Sequence, residues 1–127
     1  MLKTFTYCYA ALLTTIDLLA DTGSLGGLLA WLHHVPFGDK TCHFVLAGGL
    51  SFLVCATLSR RRPERRLAVV ACTILVLAAL TSLEECSQSL SSYRQFEPLD
   101  MLCNVTGTLA FGSAVLLLPA KKFANPC

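Results

Sequence analysis

Residues 67–83 read LAVVACTILVLAALTSL, an uninterrupted apolar stretch with no charged residue, bounded by Arg65-Arg66 on one side and Glu84-Glu85 on the other. A helix over this stretch is about 25 Å long at 1.5 Å per residue, close to the ~30 Å of hydrocarbon in a bilayer. Three further blocks have the same character: Phe5–Ala20, interrupted only by Asp17; Thr41–Ser59, with His43 as its one ionisable group; and Leu99–Leu118, with Asp100 near its start. Lipid offers no partner to an unpaired backbone N–H or C=O, so four such spans are predicted to be helices. Pro63, Pro98 and Pro119 fall outside the blocks or at their edges, where a missing N–H costs little. The expected fold is an all-α membrane protein forming a single domain over residues 1–127.

Composition agrees with this reading. Of the 127 residues, 54% are hydrophobic and only 14% charged, too few to cover a soluble globule of average make-up. The mean hydropathy is +0.62. Disorder, a coiled coil and a basic nucleic-acid-binding domain are excluded on the same grounds. Seven cysteines suggest disulfides at first sight, but Cys8, Cys55 and Cys72 lie within apolar runs, where Cys acts as a small hydrophobe. Cys42, Cys86 and Cys103 lie near span ends, yet the sequence has no CxxC pair to hold zinc, and whether Cys86 and Cys103 bridge is left open.

The piece Ser24–Val35, SLGGLLAWLHHV, is short for a span and carries Trp31, His33 and His34 towards its end, which suits a helix lying in the interface. The first block resembles a signal sequence in following Lys3, but Asp17 spoils its apolar core and an uncleaved anchor is expected. Basic residues set the direction. With four spans and a cytoplasmic N-terminus, the inside receives eight (Lys3, Arg60, Arg61, Arg62, Arg65, Arg66, Lys121 and Lys122) and the outside two, Lys40 and Arg94. Both termini are then expected in the cytoplasm, with RRRPERR (residues 60–66) anchoring at anionic headgroups rather than contacting nucleic acid.

This direction gathers the costly polar residues at the outer face. Asp39, Lys40 and His43 lead into the second span; Glu84, Glu85 and Gln88 leave the third; Asp100, Asn104 and Gly107 form one stripe entering the fourth. A cluster of Asp39, His43, Glu85, Arg94 and Asp100 is expected, with Lys40, Gln88 and Asn104 beside it and Arg94 as counter-ion to a carboxylate pair. Asp17 is expected either as a partner for the cluster or near the outer interface, the second favoured because Asp21 follows it.

The spacing of Asp39-Lys40-x-x-His43, Glu85-x-x-Gln88, Arg94, Asp100, Asn104 and Gly107 resembles the two signature segments of the VanZ-like membrane proteins, over roughly residues 36–112. The chain departs from that pattern at Ala47, where the family often has a Tyr, and at Ser91-Ser92-Tyr93, where it often has Pro-Gly. The resemblance implies a small multi-pass protein of the bacterial plasma membrane with an envelope role. It points to glycopeptides such as teicoplanin, with which the family's namesake is associated.

Three readings of the cluster follow from the residue types. In one it only locks the helices together through interhelical hydrogen bonds. In another it binds or shields a membrane lipid, a lipid-linked cell-wall precursor or a glycopeptide, with Lys40 and Arg94 facing an anionic group. In the third it is catalytic, with Glu85 as general acid or base, His43 as proton relay and Asp100 as a further candidate. Metal binding by His43, Glu85 and Asp100 has no spacing signal, so neither a metal nor another cofactor is expected. A transporter would require a homo-oligomer, because four short helices enclose little volume.

Overall fold

The computed structural model describes residues 1–119, and these are all-helical. The helices are α1 (Leu2–Asp21), α2 (Gly26–His34), α3 (Gly38–Ser59), α4 (Arg66–Ser87) and α5 (Pro98–Ala114), with single 3-10 turns at Pro63–Arg65, Gln88–Leu90 and Val115–Leu117. Lys121 and Lys122 lie outside the described residues. The predicted spans 5–20, 41–59, 67–83 and 99–118 fall on α1, α3, α4 and α5, and the predicted short helix at 24–35 falls on α2.

Three of the described helices are long and apolar enough to cross a membrane: α3, α4 with its flanking turns, and α5 with the turn that follows it. The first predicted span, 5–20, does not reach this standard alone. α1 meets the same standard only together with α2, from which it is bent by 95°. The bend occurs at Gly23, which has φ +76°, a conformation an L side chain rarely adopts. A side chain at Gly23 would also run into the Tyr93 ring. A second positive φ, +59° at Phe37, turns the chain from α2 into α3.

Pro63 and Pro98 both open helical segments, where a fixed φ is already suitable and the absent N–H would be unpaired anyway. Consecutive long helices run antiparallel. At one end of the bundle the Thr6 hydroxyl hydrogen-bonds Thr57 Oγ1 across α1 and α3 (2.9 Å), and the Arg66 guanidinium donates to the carbonyls of Val115 and Leu118 beyond α5. Lys3 and the RRRPERR loop share that end. Lys40 and Arg94 lie at the other.

Burial runs opposite to that of a water-soluble domain. Thr6, Ser51, Ser59, Thr73, Glu85, Gln88, Asp100, Asn104 and Thr108 are buried, whereas Leu67, Leu75, Val76, Leu80 and Leu83 of α4 are exposed. An apolar exterior around a small and polar interior is what a lipid solvent selects. The buried apolar core is small, comprising Cys55, Ala56, Val70, Ile74 and Val115 towards the arginine-rich end.

The most extensive helix contact is between α3 and α5. Gly107 permits it, because a Cβ there would strike the Phe44 carbonyl. Phe111 lies over Gly48 and meets Phe44 edge-to-face, with ring centroids 5.6 Å apart. Ser51 donates to the Thr108 carbonyl at 2.9 Å. This contact brings the two polar stripes, one on each helix, face to face.

Candidate functional site: a polar cluster at the mouth of an apolar cavity

The start of α3 supplies Asp39, Lys40 and His43, and the start of α5 supplies Asp100 and Asn104. Asp39 and Asp100 each occupy a first helical turn, where a carboxylate complements the helix dipole. Lys40 Nζ lies 2.6 Å from Glu97 Oε2, 3.0 Å from Asp100 Oδ1 and 3.6 Å from Asp39 Oδ2. His43 Nδ1 is 3.2 Å from Asn104 Oδ1, while its Nε2 faces Asp39 Oδ1 at 3.8 Å and Asp100 Oδ2 at 4.0 Å.

The end of α4 builds a second group. Glu85 is fully buried; its Oε2 accepts from Gln88 Nε2 at 3.0 Å and its Oε1 from the Glu97 backbone N–H at 3.4 Å. Gln88 Nε2 also donates to Glu84 Oε1 at 3.0 Å. Glu85 thus ties the end of α4 to the start of α5. No hydrogen bond or ion pair joins it to His43.

Arg94 differs from expectation in its partners. It faces Asp17 Oδ1 at 3.6 Å, Asp21 Oδ1 at 3.5 Å and Glu84 Oε1 at 3.4 Å, none of which belonged to the expected cluster. Asp17 is therefore part of the polar cluster rather than an isolated interface residue. The physical reason is that α1, antiparallel to α3, runs in the same direction as α4, so its C-terminal carboxylates arrive at the end where α4 finishes. The cluster is then two cation-centred groups side by side, each cation facing three carboxylates. Lys40 and Arg94 are committed to the protein's own anions.

Glu97, central to the first group, escaped sequence reading. Its signal was its place immediately before Pro98, at the N-cap of α5, one turn ahead of Asp100 on the same face. His33 and His34 are in the last turn of α2, outside both groups. Cys8, Cys42, Cys55, Cys72, Cys86 and Cys103 carry free thiols.

Beside the cluster lies a cavity of about 460 Å³. Its walls are apolar, with Leu13 from α1, Leu28 and Leu32 from α2, Leu50 from α3 and Leu80 from α4 among them. Its polar end is made by Asp17, Asp39, His43, Glu84, Arg94 and Asn104. Glu84, not Glu85, faces it. Helix α2, expected only to lie in the interface, also roofs this space, because the bend at Gly23 folds its leucines back over α1 and α3. No family model, curated protein or solved structure matches this chain.

Proposed function

We propose that this is a VanZ-like envelope protein of the bacterial plasma membrane that binds and shields a membrane amphiphile, with an acyl chain in the cavity and a polar headgroup at the cluster. The observation that carries this reading is the cavity: it falls within the ~300–1,000 Å³ usual for ligand pockets, and it is apolar along its walls and charged at one end. The headgroup favoured is neutral, polyhydroxylic or cationic rather than a bare anion, because carboxylates outnumber the two cations. Among the described residues six basic side chains share the opposite end against Lys40 and Arg94 here. That asymmetry supports a cytoplasmic N-terminus and an outward-facing polar end. Changed sensitivity to a lipid-anchored glycopeptide would follow from shielding of an envelope component. The acid–base alternative through Glu85 and His43 has less support, because Glu85 is enclosed and does not border the cavity.

The test uses the full chain in bacterial-lipid vesicles containing a phospholipid with a diazirine in mid-chain. Photolabelling is expected on α1, α2 and α3 peptides around Leu13, Leu28 and Leu50, and Ala10→Phe, which fills the cavity, should abolish it there while sparing the outer face of α4. Labelling confined to outer faces, or unchanged by Ala10→Phe, would overturn the reading.

A further inference from the structure

The two aspartates at the polar end divide their carboxylates in the same way. Asp39 Oδ2 and Asp100 Oδ1 turn towards Lys40 Nζ, and the other oxygen of each turns towards His43 Nε2, at 3.8 and 4.0 Å. Those last separations exceed hydrogen-bond length. On the far side of the ring, Asn104 Oδ1 is 3.2 Å from Nδ1. An amide oxygen only accepts, so Nδ1 carries the proton and, in the neutral ring, Nε2 presents a lone pair. Three lone pairs, from His43 Nε2, Asp39 Oδ1 and Asp100 Oδ2, therefore converge on one point, and all three ligand atoms lie within 4.8 Å of one another.

The buried aspartate supplies a second observation. Asp100 is only 4% exposed; its Oδ1 is met by Lys40 Nζ at 3.0 Å, whereas its Oδ2 faces His43 Nε2 at 4.0 Å, beyond hydrogen-bond length. A buried carboxylate oxygen left in that state is costly unless a cation approaches it.

We propose that Asp39, His43 and Asp100 form a binding site for a first-row divalent transition-metal ion. One imidazole with two carboxylates suits Zn²⁺, Mn²⁺, Fe²⁺ or Co²⁺, whereas Mg²⁺ and Ca²⁺ prefer all-oxygen sets and Cu⁺ prefers sulfur. Metal–ligand bonds of about 2.0–2.2 Å put tetrahedral ligand atoms about 3.4 Å apart, so the His43–aspartate separations of 3.8 and 4.0 Å close by roughly half an ångström and the two aspartate oxygens, within 4.8 Å of each other, by up to about 1.4 Å, through carboxylate rotations. Asn104 orients the imidazole and fixes its tautomer, as hydrogen-bond partners of metal-bound histidines do. Lys40 steadies the second oxygen of each aspartate. Asp39 and His43 border the cavity, so the remaining coordination positions open onto it. The site requires no amphiphile and stands whether or not one binds.

The probe is Co²⁺, titrated into the full chain in detergent after stripping with a chelator. One equivalent is expected to bind with visible d–d bands and to be displaced by Zn²⁺. His43→Gln and Asp100→Asn should each weaken binding at least tenfold with unfolding otherwise near wild type, and His33→Gln should not. Should those variants misfold, electron-spin-echo modulation of the Mn²⁺-loaded wild type gives the same answer, with coupling to a single imidazole nitrogen expected. Absence of saturable binding, binding that survives both substitutions in folded protein, thiolate-to-cobalt charge transfer that vanishes in Cys42→Ser, or Mn²⁺ without nitrogen modulation would each overturn the assignment.

Discussion

Gly107→Ala tests the contact on which the polar cluster depends. The added Cβ would collide with the Phe44 carbonyl oxygen and lie 3.0 and 3.1 Å from the Phe44 carbonyl carbon and Cα. These are backbone atoms of a long helix, so no rotamer change relieves the collision and α3 must retreat. Overpacking of this kind costs about 1–3 kcal/mol. Alanine's better helix propensity returns up to about 1 kcal/mol. Because the collision is with backbone, the overpacking cost falls at the upper end of that range and the expected net loss is about 2 kcal/mol, roughly a 30-fold shift towards the unfolded form. SDS titration in mixed micelles, followed by far-UV circular dichroism, measures it. Gly27→Ala in α2 is the control, because a Cβ there meets nothing within 4 Å; it should be neutral or slightly stabilising. The retreat should also stretch the 3.2 Å contact between His43 and Asn104 and weaken Co²⁺ binding in the same variant. A Gly107→Ala protein as stable as wild type, or a control equally damaged, would refute the close approach of α3 and α5.

Arg94→Met should destabilise the bundle by about 1–2 kcal/mol, less than the ~3–5 for breaking a buried pair, because Asp17, Asp21 and Glu84 are one-third to two-fifths exposed and partly screened. Arg94→Lys should recover only part of the loss; an unchanged unfolding midpoint for Arg94→Met would remove Arg94 as the link between α1 and α4. Glu85→Gln should cost about 1–3 kcal/mol, because the new amide N–H₂ must face either the Glu97 N–H or the Gln88 amide as donor against donor. Diazirine labelling per folded molecule should remain unchanged in that variant, and its loss would return Glu85 to the ligand site. Single cysteines at positions 40 and 94, in a background without the native cysteines, should react with an impermeant maleimide from one side of the membrane and a cysteine at 61 from the other. Reaction of 40 and 94 from opposite sides would dismantle the cluster.

The helices were legible because the signal for each is local. A run such as Leu67–Leu83 has to satisfy its backbone internally in lipid whatever its neighbours do. The polar stripes were legible for a related reason: Asp39 and His43, or Asp100 and Asn104, share a helix face by spacing alone, and an alternating chain direction delivers both pairs to one end. Placing polar groups in apolar helices is costly enough to mark them as belonging together.

Pairing within that end was decided by tertiary structure. Arg94 had several carboxylates within reach along the chain, and only the course of α1, in the same direction as α4, determines that it meets Asp17 and Asp21. Glu97 became a partner of Lys40 because the α3–α5 crossing, made close by Gly107, sets those two helix starts side by side. The cavity likewise exists only because the chain bends by 95° at Gly23 and lays α2 over its neighbours. Helix formation depends on hydrogen bonds within each segment, whereas ion pairing depends on differences of an ångström or two between segments far apart in the chain. Spacing along one helix determines the first, and only the packed bundle determines the second.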